Sequence, residues 1–335
     1  MPRLIQNRLE PLYEIKKFRG IDNLVTDDLR LDPGFVRKLD NIDIDSEQMA
    51  RMRKGILKQL QSGNAHSGWS DEAQLCFLVL NNNLVQLNTD GTVTNILSNV
   101  GPSHVEFLQL GDRVFFSNRI MVGYIQNGIA YGFPDTVRKD RQKMIGGKLI
   151  EYCNARLYSC DDTFIYRSIS GNPFEMDIKR DQIDLGGNYT MLKAVNRPGG
   201  EIGLYVSSGT KCYYLDNLEP SLEEARCRTL LDVPALPGSA CAIERMDIGR
   251  RMVGLEGRCC IWSTVIGIFM GFAGGFVKDC TSEHYAVMDI EEGYSYIKWH
   301  MGYRQYVFMG QVAPGVGLTR LQAIDPYDTA QITFQ

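Results

Sequence analysis

Histidine placement sets the first limit on chemistry. The chain has four, His66, His104, His284 and His300. No two stand at the HxH or HExxH spacing that aims two imidazoles at one ion, so no zinc centre is predicted. Gly-x-Ser-x-Gly, a Walker phosphate loop and Gly-x-Gly-x-x-Gly ahead of a helix are all absent. The sequence therefore carries no signal for an elbow-type hydrolase, an NTPase or a dinucleotide enzyme. Asp27-Asp28, Asp161-Asp162 and Glu291-Glu292 are the residue types a glycosidase needs as acid and base. Neighbouring acids are usually solvated, however, and adjacency in the chain sets no separation in space. Asp40, Asp43, Asp45 and Glu47 are oxygen donors close together, but the loop lacks the turn glycine of a calcium loop. A solvated strand edge is expected there. No catalytic residue, metal or cofactor is assigned.

Two basic clusters are the remaining candidates. One is Arg51, Arg53, Lys54 and Lys58; the other is Arg138, Lys139, Arg141 and Lys143, continued by Lys148. Either could hold DNA phosphates without reading bases, or face an acidic neighbouring subunit. The whole chain has 36 basic and 40 acidic residues, a net charge of −4, so global basicity does not single out a nucleic-acid binder. A solvated or salt-bridged surface is the plainer expectation, with phosphate or subunit contact the sharper one.

The elements that would carry these residues are short strands. With 335 residues, 44% hydrophobic and 23% charged, the chain has an ordinary globular composition and enough length to bury a core without staples. Nine cysteines without a CxxC read as small buried hydrophobes of a reducing compartment, with Cys259 and Cys260 on opposite faces of one strand. The opening MPRLIQNRLEPLYEIKK lacks the apolar core of a cleaved leader. Between Cys259 and Val277 no residue is charged, which is nearly the length of a membrane span. Four glycines and a run of β-branched residues there favour a buried hairpin, Cys260–Val265 against Ile268–Phe272, and no membrane span is predicted.

Only Asp45–Arg53 and Pro220–Ala225 suggest helix. Elsewhere apolar runs alternate with Asn-Gly, Asp-Gly or Gly-Asp turns, which supply the positive φ that tight hairpins demand. Asn88-Thr89-Asp90-Gly91-Thr92 is read as one of these ordinary turns. Hairpins beginning at Phe77, Val105, Leu149, Ile202, Met252 and Tyr296 are spaced by 28, 44, 53, 50 and 44 residues. That spacing averages about 44, the size of a four-stranded propeller blade. The expected fold is all-β, a single β-propeller of about six four-stranded blades within five to seven, with a pair of β-sandwiches as the alternative. Loops 60–73 and 133–147 would lie on one face, where partners bind. Residues 10–58 would close the ring against the last blade.

Residues 13–55 read YEIKKFRGIDNLVTDDLRLDPGFVRKLDNIDIDSEQMARMRKG. The points of interest are Phe18, Gly20–Asn23, Asp27-Asp28, Leu31, Pro33-Gly34, Asn41–Asp45, Arg53 and Gly55. This segment resembles the opening of tailed-phage tail proteins of the hub, nozzle or packaged-DNA-stabilisation type, and of related tail-tip propellers. GLYVSSGTKCYYLDNLEPS at 203–221 is similar to a blade of the same family. Together the two stretches cover about a fifth of the chain. One departure is Ser46–Met49, where the family has an Asp-Gly turn. The resemblance implies a structural virion protein, made in the host cytoplasm and built into the tail. It would assemble as a homo-oligomeric ring, with six-fold symmetry favoured, bind neighbouring tail proteins, and help retain or conduct the genome. The alternatives are a propeller enzyme acting on surface polysaccharide and a cellular ligand-binding propeller.

Overall fold

The computed structural model describes residues 64–71, 75–197, 199–219, 221–244, 257–281, 290–300 and 303–312. It also describes 20–22, 24, 35–36, 42–44, 50–52, 283 and 329–333. Tight turns divide the chain into antiparallel strands. Asn81 and Asn82, Asn127 and Gly128, and Asn154 and Ala155 all take positive φ, and each pair is a two-residue hairpin loop.

These hairpins build five four-stranded sheets and one of three strands. Blade 1 comprises Ala65–Ser70, Cys76–Leu80, Asn83–Leu87 and Val93–Leu97. Blade 2 comprises Glu106–Leu110, Arg113–Ser117, Val122–Gln126 and Ile129–Gly132. Leu149–Cys153, Arg156–Cys160, Ile165–Arg167 and Gln182–Ile183 form blade 3. Blade 4 is Met191–Asn196, Ile202–Ser207, Cys212–Asp216 and Arg226–Leu231. Blade 5 is Cys241–Glu244, Arg258–Thr264, Gly267–Phe272 and Phe276–Asp279. Ile290–His300, Tyr303–Val312 and Thr329–Thr333 make blade 6. The first strand of each blade packs against the first strand of the next from blade 2 through blade 6. Tyr294 of blade 6 then donates to the carbonyl of Gly68 in blade 1, which closes the circle. The fold is a six-bladed β-propeller.

The core lies in the seams between blades, because adjacent strand residues face opposite neighbours. Val114 and Phe116 enter the seam of blades 1 and 2 with Phe77, Val79 and Leu84, while Phe115 between them enters the seam of blades 2 and 3 with Ile150 and Leu157. Cys259 and Ile261 pack toward Tyr306 and Phe308 of blade 6, whereas Cys260 and Trp262 pack toward Tyr205 and Tyr214 of blade 4. The predicted division of the adjacent cysteines is therefore observed. None of the nine cysteines is in a disulfide, but Cys227 is exposed and so departs from the expected burial.

The uncharged stretch after Arg258 is a buried hairpin, with Trp262 paired to Phe269 and the turn at Val265-Ile266, one residue earlier than expected. No described helix is long and apolar enough to cross a membrane. The described parts of the two expected helices, residues 50–52 and 221–225, are not helical. Residues 50–52 are a strand paired to Ile42–Ile44. The Pro220–Ala225 stretch holds a turn in which the Ser221 hydroxyl accepts from Glu223 N–H. Ser221 satisfies the local backbone within one turn, so nothing propagates a helix. Most of the 10–58 segment expected to close the ring lies outside the described residues; its described strands pair as Gly20–Ile21 with Phe35–Val36 and as Ile42–Ile44 with Ala50–Met52.

Candidate functional site

The sequence candidates are scattered, and acids hold several of them. Arg53, Lys54 and Lys58 lie outside the described residues, and Arg51 is on the strand paired to Ile42–Ile44, opposite Asp43. In the second cluster Arg141 pairs with Asp177 at 3.2 Å and with Asp140 at 3.5 Å, Lys143 pairs with Asp135 at 2.6 Å, and Lys148 pairs with Asp162 at 2.8 Å. Arg138 and Lys139 are exposed and make no ion pair among the described residues. The 133–147 loop is thus a mixed-charge surface with two unpaired cations. Of loop 60–73, residues 64–70 belong to the first strand of blade 1 and its end, so that stretch is ordered sheet rather than loop.

Of the carboxylate pairs, Asp161-Asp162 is occupied by neighbours. Asp161 accepts from the N–H groups of Thr163 and Phe164 and from the Tyr166 hydroxyl, and so caps a turn. Asp162 is held by Arg119 and Lys148. Glu291 and Glu292 are exposed on one strand, and Asp27-Asp28 lies outside the described residues. Asp90 accepts from both the N–H and the hydroxyl of Thr92, which is an Asx turn of the ordinary kind. Among the described residues no group of three or more acids, histidines or cysteines could hold a metal ion. Asp40, Asp45 and Glu47 are outside the described residues.

The concentrated polar chemistry is on the propeller axis, where spacing in sequence had not pointed. Glu106 opens the first strand of blade 2, and Lys193 lies on the first strand of blade 4. Lys193 Nζ meets Glu106 Oε1 at 2.8 Å, so the pair spans the axis past blade 3. Glu151 of blade 3 is buried and accepts two bonds from Arg258 of blade 5, at 3.0 and 3.4 Å, which likewise pass over blade 4. Burial alone would push the Glu106 carboxyl up. Lys193 and His104 outweigh it and hold the acid down at about 2. Burial pushes the Cys241 thiol up to about 11, and the Tyr294 phenol is raised chiefly by burial as well.

A hydrogen-bonded row leads from this pair to the edge of blade 1. His104 Nε2 lies 3.2 Å from Glu106 Oε2, His104 Nδ1 lies 3.2 Å from Ser67 Oγ, and Ser67 Oγ lies 2.7 Å from His66 Nδ1. Ser67 is buried, with φ 57° at a bulge between His66 and Trp69. Left-handed backbone is uncommon for serine, and it turns the hydroxyl toward blade 2 instead of along the ladder. The sequence held one unused sign of this site. His66 and Ser67 precede the glycine of His66-Ser67-Gly68-Trp69, which breaks the alternation of its strand.

Fold and site together define a closed propeller whose axis is crossed by ion pairs. No family model matches the chain, and no curated protein matches it. Among solved structures it is similar to the N-terminal domain of Nup159, at 8% identity and a TM-score of 0.47 over 81% of this chain and 75% of that one. It is also similar to a calcium-binding protein, regucalcin, from Agrobacterium tumefaciens, at 8% identity and a TM-score of 0.44 over 83% of this chain and 91% of that one. A third is the extracellular domain of the one-component system BT4673 from B. thetaiotaomicron, at 8% identity and a TM-score of 0.47. There 75% of this chain matches and spans 33% of the other. These are likenesses of chain trace.

Proposed function

We propose that this chain is a structural protein of a tailed-phage virion, built into the tail as part of its hub, nozzle or tip. The pattern from Phe18 to Gly55 is what carries the reading. The rims of the propeller are compatible with it. Val93, Ile129, Tyr131 and Phe276 are exposed large apolar side chains on the outermost strands of blades 1, 2 and 5. Apolar groups at sheet edges suit a protein that completes its burial against neighbours. In this reading copies form a ring about the tail axis, six-fold by preference, and bind adjoining tail proteins. Arg138 and Lys139 offer non-specific contact to packaged DNA, as would Arg51, Arg53, Lys54 and Lys58 of the N-terminal cluster. The chain does its work by assembly, in the virion, without a catalytic residue.

The test is complementation of particles that lack the protein, followed by electron microscopy and mass measurement. A ring of defined stoichiometry added at the tail, with recovered infectivity, is the expected result. Failure to join any particle, combined with clearing of a polysaccharide lawn, would replace the structural reading with the enzymatic one.

A further inference from the structure

Antiparallel strands taken in chain order put the first-to-second and third-to-fourth turns of a blade at one end, and the second-to-third turn at the other. Three turns at the first of these ends, in blades 1 and 2, set an acid beside an exposed apolar side chain. Asp71 accepts from Leu75 N–H at 2.7 Å, and Leu75 is exposed. Asp90 accepts from Thr92 in the turn that leads into exposed Val93. Asp112 accepts from the Gln126 amide at 2.6 Å, and Gln126 is paired across its hairpin with exposed Ile129. Val93 and Ile129 open the outermost strands of the two blades, and those strands touch.

Asp90 and Asp112 make no ion pair among the described residues. Residues 64–132 include Arg113 and Arg119 and no lysine. Arg119 is in the turn at the opposite end and is bound to Asp162. Arg113 lies over the Tyr124 ring at 4.9 Å, on the side of blade 2 that faces blade 3. Neither arginine neutralises Asp90 or Asp112. The patch is acidic and apolar, and it fits a segment that carries cations beside apolar side chains.

The chain itself has such a segment. Arg53-Lys54-Gly55-Ile56-Leu57-Lys58 sets cations on both sides of two apolar residues, and it ends shortly before the first strand of blade 1. Ala65 is at one end of that strand, and Ser70, adjoining Asp71, is at the other. The segment therefore joins the propeller at the end opposite its own acidic turns. To reach them it would have to run the height of the blade, about 20 Å for a strand of this length. We propose that residues 53–58 of one copy dock on the Leu75, Val93 and Ile129 patch of a second copy, with the cations facing Asp90 and Asp112. The contact is head-to-tail, so it closes a ring when each copy is turned relative to the last. It rests on the ring of the virion reading, and it gives the N-terminal basic cluster a neighbouring copy as its partner.

Sedimentation velocity on the intact chain, over a range of protein and salt concentrations, tests the contact. Wild type should self-associate, and less so as salt rises. Asp90→Lys/Asp112→Lys and Arg53→Glu/Lys54→Glu/Lys58→Glu should each weaken association about a hundredfold, because like charges then meet. An equimolar mixture of the two variants should recover it, since the reversed patch of one meets the reversed segment of the other. Recovery on mixing is a result that a folding defect cannot produce. If the patch variant does not fold, the segment variant, which leaves the blades untouched, decides together with Ile129→Ser, expected to weaken association about tenfold. A wild type that stays monomeric at every concentration, an association that neither variant weakens, or a mixture that stays dissociated overturns the proposal. A monomeric wild type that still adds a ring to tails in the complementation experiment removes this contact and leaves the virion reading standing. Self-association of the expected kind by a chain that joins no particle does the reverse.

Discussion

Replacing Glu106 with Gln removes the charge that faces Lys193 across the axis. The carboxyl is held at about 2 in the folded protein against an ordinary value of 4.5. A gap of that size corresponds to about 3 kcal/mol of stability at neutral pH. The folded value is the depressed one, so the contribution is present above 4.5 and is lost as pH falls through 2. About 1 kcal/mol should be gone by pH 4 and about 2 kcal/mol by pH 3. The side chains of Glu106 and Lys193 are 19% and 15% exposed, so water screens the pair only in part. At pH 7 Glu106→Gln strands the ammonium of Lys193 and should cost about 3 kcal/mol, the low end for breaking a buried pair. Glu106→Gln/Lys193→Met removes both charges and should recover a good part of that loss, because no uncompensated ion remains. Urea unfolding at several pH values between 7 and 3 reads all three proteins. The difference between wild-type and Glu106→Gln curves isolates the Glu106 carboxylate, with its contacts to Lys193 and His104 taken together. Parallel curves across that range, or a double variant no more stable than Glu106→Gln, would refute the reasoning.

Two further outcomes follow from burial. Arg167 and Asp181 are 1% and 6% exposed and meet at 2.6 Å, and Arg167 also donates to the Leu218 carbonyl in the next blade. Asp181→Ala should therefore destabilise by about 3–5 kcal/mol in urea unfolding; a loss below about 1 kcal/mol would mean that solvent reaches the guanidinium. Cys227 is the one exposed thiol of the nine, so brief alkylation of native protein followed by peptide mass spectrometry should modify it first. Faster labelling of Cys160, Cys259 or Cys260 would show that the seams open readily.

Much of the architecture was legible because it depends on local chemistry. Asn81-Asn82 and Asn127-Gly128 accept positive φ, and alternating apolar residues sort themselves to two faces, so hairpins and their turns follow from neighbouring residues. The phase of those hairpins within a blade was hidden. The Phe77 hairpin joins second and third strands, while those at Val105 and Leu149 join first and second ones, which explains the uneven spacing of hairpin starts. Counted from first strands at Ala65, Glu106, Leu149, Met191, Cys241 and Ile290, the steps are an even 41, 43, 42, 50 and 49 residues. At residues 50–52, where helix was expected, short-range propensity weighs less than a strand partner, here Ile42–Ile44.

The axis was out of reach of sequence for a different reason. Glu106 and Lys193 are 87 residues apart, and Glu151 and Arg258 are 107 apart. Each pair joins blades that are not consecutive, so no local pattern records it; only closure of the ring brings the partners within bonding distance. The basic cluster at 138–148 shows the converse. Its charges were plain in the sequence, but tertiary packing brought Asp177 and Asp162 against Arg141 and Lys148, leaving Arg138 and Lys139 as its unpaired cations among the described residues. Sequence alone determined that the chain is all-β, where most turns fall, and which strand faces are apolar, because those depend on residues within a few positions of one another. Which distant charges neutralise each other, and where a serine is forced into left-handed backbone between two histidines, was decided by the meeting of blades.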